Sequence, residues 1–296
     1  MSIIVRLKGG LGNQLFQYAF ARAIAARLKT TYSLDWAPFN QYFHVHKYSL
    51  HHFNTTVPLA KGRDMLGFVW FGRHYNVFGH FYRILRLKKT LMPFYFPEKT
   101  FAFDREAYEK KGTTYFDGFW QTEKYFKDIE AEIRKELTLK EPMSEYSANI
   151  GKSIREAGTN AVSLHVRRAD LVTNPTMTAF HGYCSPEYYA EAIKYIAERL
   201  PSPHFFIFSD DYDWSVEHFK DLPYPHTVIN NSADKNYEDL TLMSMCRQHI
   251  IANSSFGWWG AWLDPGKDKI VIAPKRWFAH GQSDTKDLLP DGWITM

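Results

Sequence analysis

The chain has 296 residues, 45% of them hydrophobic and 23% charged, which is enough for one large or two modest globular domains with a proper core. Its formal net charge of +4 is too diffuse for nucleic-acid binding but suits an anionic small ligand or a weak attraction to an acidic membrane. Two cysteines, Cys184 and Cys246, supply neither a disulfide framework nor a metal cluster.

The opening Met1-Ser-Ile-Ile-Val-Arg6 meets a charge too early for a signal peptide, and no apolar run reaches the ~18 residues of a spanning helix. A cytoplasmic protein is expected. Ser2 to Leu7 predicts a buried strand, Lys8 to Gln14 a glycine-rich turn, and Leu15, Phe16, Ala19, Phe20, Ala23 and Ile24 one apolar stripe of a helix. A strand, a glycine loop and a helix start in that order can present backbone N–H groups to phosphate. The loop has neither the Walker ending nor the full dinucleotide spacing, so a plain tight turn is an equal reading.

Residues 36–120 mix aromatics with Arg73, Arg83, Arg86, Lys88 and Lys89, and read as a helical insertion over the first sheet. The stretch 66–97 also suits a basic aromatic surface for a membrane or a lipid-linked acceptor. Phe126 to Leu139 predicts a charged amphipathic helix, Lys140 to Glu145 a linker, and 145–157 a further helix. The expected division is a unit over 1–150 and another over 151–296.

The second half alternates cleanly. Ala161 to Val166 is a strand running into Arg167, Arg168 and Asp170. A period of two puts Val162, Leu164 and Val166 on one face and Ser163, His165 and Arg167 on the other, with Arg168 turned back toward the apolar side. Ser185-Pro-Glu opens a helix to about Leu200 with a cap residue and a first-turn proline. Further strands are expected at His204–Phe208, His226–Ile229, Ile250–Ala252 and Lys269–Ala273, with a helix over Tyr237–Arg247 and another after Asn253-Ser-Ser-Phe256. This alternation predicts an α/β fold with parallel sheets.

Polar clusters then fall just past three strands: the arginine loop, Asp210/Asp211, and Asn253/Ser254/Ser255. In a parallel sheet all three lie at one edge, where they suit a nucleotide: arginines on the diphosphate, a carboxylate on base or ribose, hydroxyls and helix-start N–H groups on phosphate. The bland alternative for the first cluster is an Arg–Asp pair bracing a loop. Asp211-Tyr-Asp213 could hold a divalent metal, but Asp213 also suits a helix cap, and the arginines would do the metal's electrostatic work. No metal and no cofactor are expected.

Taken together, the motifs Gly9-Gly-Leu-Gly-Asn-Gln-Leu-Phe-Gln-Tyr-Ala19, His165-Val-Arg-Arg-Ala-Asp170, Phe208-Ser-Asp-Asp211 with Trp214, and Asn253-Ser-Ser-Phe-Gly-Trp-Trp-Gly-Ala-Trp262 resemble those of the α-1,2-fucosyltransferases, glycosyltransferase family 11. His181-Gly-Tyr-Cys-Ser and Tyr188-Tyr189 match as well, so the resemblance spans nearly the whole chain. It implies a GT-B-like architecture of two Rossmann-like domains facing across a cleft, the N-terminal one on the acceptor side. It also implies an inverting, metal-independent transfer of fucose from GDP-fucose to O2 of a galactose-terminated glycan, with lipid-linked acceptors and the cytoplasmic membrane face as the expected setting.

By the same resemblance Arg167 holds the leaving phosphate, with Arg168 beside it, and His165 with Asp210 or Asp211 touches guanosine. Asn253, Ser254, Ser255 and Phe256 border the pyrophosphate, while Gly10, Gly12, Asn13 and Gln14 close on the donor. Asp170 is the leading candidate for the base, or else the lock on Arg168; His181 is the second. Gly257 stands where the family usually has serine. Rival readings are another nucleotide-sugar transferase, or a non-catalytic sugar binder using Trp258, Trp259 and Trp262.

Overall fold

The structure is a computed structural model, and it describes residues 2–41, 46–60, 94–169, 172, 175–279 and 285–296. The chain divides into two compact units, Met1–His51 with Thr55–Glu136, and His52–Asn54 with Leu137–Met296. The expected division at 150 therefore moves back to Glu136. Residues 137–144 belong with the second unit because hydrogen bonds hold them there. Asn54 Nδ2 donates to Thr138 Oγ1 (3.0 Å) and Leu139 O (3.1 Å), and the Ser144 amide and hydroxyl both donate to Glu238 (3.0 and 2.6 Å).

The first unit contains β1 (Ser2–Arg6), α1 (Leu11–Leu28), β2 (Thr31–Asp35), α2 (Ala37–Gln41), β3 (Tyr95–Pro97), α3 (Arg105–Glu109), β4 (Thr114–Asp117) and α4 (Glu130–Glu136). Its strands form a parallel sheet in the order β2-β1-β4-β3. Helix α1 is buried far beyond the expected stripe, since Gln14 and Gln17 are as inaccessible as Leu15 and Phe20. Phe20 stacks on Trp120 (4.3 Å, 8°). Gln17 clamps two loops: its Oε1 accepts from Lys8 N (3.0 Å) and its Nε2 donates to Gly118 O (3.1 Å).

Two of these strands correct the reading of 36–120 as a helical insertion, because β3 and β4 lie within it. Three- and four-residue strands are too short to show a period. The basic aromatic stretch 66–97 falls outside the described residues up to 93.

The second unit contains α5 (Glu145–Ala157), β5 (Ala161–Val166), α6 (Pro175–His181), α7 (Pro186–Ala197), β6 (His204–Ser209), α8 (Tyr212–Phe219), β7 (His226–Val228), α9 (Asn236–Met245), β8 (Gln248–Ile250), α10 (Ser255–Leu263), β9 (Val271–Ala273) and β10 (Ile294–Thr295). Its sheet is parallel throughout, in the order β10-β9-β8-β5-β6-β7. Val162, Leu164 and Val166 pack with Phe205 and Ile207 against Tyr188, Tyr189, Ile193 and Ile196 of α7. On the opposite face Ala161, Phe206 and Phe208 meet Leu242 and Met243 of α9 and Ile154 of α5. Both faces are dry, the usual state of a parallel sheet covered by helices. Helix α7 starts as its sequence predicts, with Ser185 Oγ accepting from Tyr188 N (3.4 Å) ahead of Pro186.

Strand β8 begins two residues before the expected Ile250. Its polar start concealed it: the wholly buried His249 pairs in register with Ser163, whose Oγ lies 2.8 Å from His249 Nδ1. His249 Nε2 faces Asp264 Oδ2 at 3.3 Å, while Asp264 Oδ1 accepts from Arg247 (2.6 Å) and Gly266 N (3.0 Å). This chain ties β5 and β8 to the end of α10. The Asp264 side chain is 0% exposed, so Asp264→Ala leaves the buried His249 Nε2 without its partner. Urea unfolding should show a loss of about 3 kcal/mol.

Candidate functional site

Strands β8, β5 and β6 are neighbours in the sheet, so the loops leaving their carboxyl ends share one edge. Asp210 organises the first of these loops. Its Oδ1 accepts N–H groups from both Arg168 (2.7 Å) and Ala169 (3.2 Å), fixing the backbone immediately after Arg167. Asp211 does a second piece of bracing: Oδ1 accepts from Trp214 N (3.3 Å) and caps α8, while Oδ2 lies 3.4 Å from Arg168 Nε. The cap is thus Asp211 and not Asp213, because α8 begins two residues earlier than its sequence suggests, at Tyr212.

The Arg168 guanidinium lies over the Trp214 ring at 4.5 Å, within the apolar cluster that holds Val162 and Val166. Arg168 thus turns to the apolar side, as the period of two requires. The charge of Arg167, the residue between it and the end of β5, is close enough to act on the His165 ring. The geometry gives both aspartates the work of holding the arginine loop.

His165 is 6% exposed and its Nδ1 is buried with no hydrogen-bond partner. Burial first, and the Arg167 charge second, push its pKa down to about 3, so the imidazole is neutral at physiological pH. Its ring is tilted against Phe256 (5.6 Å between centroids). Phe256 lies in the first turn of α10, which Ser254 caps by accepting from Phe256 N (3.2 Å). Ser255 is the first residue of that helix, so its partial positive end faces the same edge.

Asn253 turns out to be a scaffold hub. Its Nδ2 donates to His181 O (2.9 Å), Gly182 O (3.3 Å) and Trp277 O (3.2 Å), drawing the end of α6 and residue 277 onto the β8 loop. His181 is partly buried and its ring lies 5.7 Å from Phe278. Tyr188 supports the same loop by donating to Ile251 O (2.7 Å). No motif in the sequence marks a residue that gathers carbonyls from two distant segments. Asp170 lies outside the described residues.

In the first unit, Gly9 adopts a positive φ of +80°, and Gly10 is the N-cap of α1, which therefore has no side-chain cap. Gly12 is buried in the first turn. Gln14 is fully buried, donating to Gly9 O (3.1 Å) and Lys47 O (2.9 Å) and accepting from Ser49 N (2.9 Å). Asn13 Oδ1 accepts from Gln121 (2.7 Å). Both side chains brace the loops around this turn.

The tryptophans offered as a sugar-stacking surface are core. Trp258 and Trp259 are 0% exposed and Trp262 3%, Trp258 stacks on Trp262 (5.9 Å, 13°), and Trp258 Nε1 donates to Leu288 O (2.8 Å). Among the described residues, no helix is long and apolar enough to cross a membrane.

Two parallel-sheet α/β units, the second with basic and helix-start loops at one edge, make this a GT-B fold. A solved structure of the NodZ alpha-1,6-fucosyltransferase soaked with GDP-fucose is similar, with a TM-score of 0.53 at 17% identity, covering 89% of this chain and 92% of that one. The model of Glycosyl transferase family 11 matches residues 82–296, and the chain belongs to that family. It is a glycosyltransferase. An alpha-1,2-colitosyltransferase of Escherichia coli is 34% identical, covering 99% of each chain. The O-antigen biosynthesis glycosyltransferase WbnK of the same species is 32% identical over 98% of this chain and 99% of its own.

Because folded His165 stays neutral to about pH 3, the unfolded chain takes up a proton below about pH 6.5 that the folded chain refuses. Stability contributed by this group is complete above that pH and falls as the pH drops toward 3, by up to about 1.4 kcal/mol per pH unit. In His165→Asn the acid side of the stability–pH curve should flatten by that slope, measured by urea titrations between pH 7 and 4.

Proposed function

We propose that the chain transfers L-fucose from GDP-β-L-fucose to O2 of a terminal galactose, inverting the anomeric carbon and using no metal. The observation that carries this reading is the neutral, buried His165 at the end of β5, within reach of the Arg167 charge and beside the Ser254-capped start of α10. Such an edge presents positive charge and N–H groups to a diphosphate without a second fixed cation on the imidazole.

In the proposed step the galactose O2 attacks C1 of fucose from the face opposite the diphosphate. The C1–O bond breaks, and its electron pair leaves with the β-phosphate oxygen. Arg167 meets the charge that builds there, and N–H groups at the start of α10 meet the remaining phosphate oxygens. The proton from O2 goes to a carboxylate or imidazole, with Asp170 as first candidate and His181 as second. Asp210 and Asp211 contribute by fixing the loop that carries Arg167. The acceptor is a galactose-terminated glycan, in keeping with the O-antigen biosynthesis of WbnK, and we place it on a lipid carrier at the cytoplasmic membrane face.

One relative favours a second donor, since the named activity of the 34%-identical protein is transfer of colitose. Colitose is fucose without the 3-hydroxyl, so the two donors share every diphosphate contact. Assays with labelled GDP-fucose and GDP-colitose on galactosides, with linkage analysis of the product, separate them. Transfer from GDP-fucose to O2 supports the first reading, and transfer from GDP-colitose alone overturns it.

Inhibition by GDP but not UDP, and full activity in EDTA, are expected; loss of activity in EDTA would end the metal-independent mechanism. Arg167→Lys keeps the charge but loses the planar fork, and should lower kcat about a hundredfold. Near-normal turnover in that variant removes Arg167 from the leaving-group role.

A further inference from the structure

We propose that Gly257 is a positioning residue for donor binding: its missing side chain is the seat of the His165 imidazole. This rests on the reading of the β5 edge as the donor site. A Cβ at position 257 would stand 2.7 Å from His165 Nδ1, 3.2 Å from its Cγ and 3.3 Å from Ile251 Cβ. The ring has little room to retreat. Strand β5 is pinned by pairing to β6 and β8 on its two sides, and the Phe256 ring flanks the imidazole. In this chain, whose imidazole occupies the space of the serine usual in the family, a Cβ at 257 therefore drives the ring from its buried position.

The seat also decides which nitrogen carries the proton. Nδ1 is buried against Gly257 with no acceptor in reach, so the proton resides on Nε2. His165 then offers a neutral N–H donor next to the charge of Arg167. Glycine inside a helix is otherwise unfavourable relative to alanine, so its presence in α10 has a local cost that the ring contact explains.

The test is a double-mutant cycle over Gly257→Ala and His165→Ala, read by calorimetric GDP binding and by NMR titration of the His165 imidazole. Gly257→Ala alone should weaken GDP binding about tenfold or more, and its displaced His165 should titrate near pH 6 rather than near 3. Once His165 is alanine, adding Gly257→Ala should change GDP affinity less than twofold and leave thermal stability equal or higher, because alanine then only improves the helix. Failure of Gly257→Ala to fold while the double variant folds would support the same coupling.

Additive losses of GDP affinity, or an unshifted His165 titration in Gly257→Ala, would overturn the proposal. The imidazole titration needs no nucleotide. If the wild-type chain binds no GDP while the titration still shifts, the donor assignment fails and the ring seat stands.

Discussion

Everything at the candidate site depends on β5 lying between β6 and β8 in an all-parallel sheet with both faces covered. All six of its residues, Ala161 to Val166, are buried, so a guanidinium has no place along the strand and the two arginines must wait until it ends. Parallel pairing then brings the ends of β6 and β8 beside them. The same constraint makes Ser163 and His249 cross-strand partners, and it turns what would be two buried polar liabilities into a hydrogen-bonded chain running to Asp264.

Charge at the edge is sorted by position. Arg168 turns to the apolar side, where Trp214 and Asp211 receive it, and Asp210 spends its oxygen on backbone N–H groups. His165 faces the other way and declines a proton because burial and the Arg167 charge both oppose one. What results is an edge where carboxylates hold the Arg168 and Ala169 backbone beside an uncharged imidazole and the start of α10.

The first unit uses buried amides for a comparable purpose. Gln14 and Gln17 hold the loops around the start of α1, and Asp117 at the end of β4 takes Arg6 (3.0 Å), Lys8 (2.9 Å) and Tyr95 (2.9 Å) together. Glu98 accepts from the backbone of Phe119 and Trp120 (2.7 Å each), which helps hold Trp120 at its positive φ of 58°. Burial raises Glu98 to about 7, so this loop contains a carboxyl group that titrates near neutrality.

Sequence alone determined the alternation of strands and helices in the second half, the phasing that separates Arg167 from Arg168, and the motif order that marks the family. These follow from local rules: a period of two, a Ser-Pro helix start, and polar residues that must sit where strands end. It did not determine β3, β4 or the start of β8, because short strands and a buried histidine carry no periodic signal. Only the tertiary structure decided that Asp211 faces Arg168, that Asn253 gathers three carbonyls, that Gln14 is a brace, that Trp258 reaches Leu288, and that Gly257 makes room for an imidazole. Each of those roles depends on partners distant in the chain, and pairing at that range is fixed by packing rather than by the residues on either side.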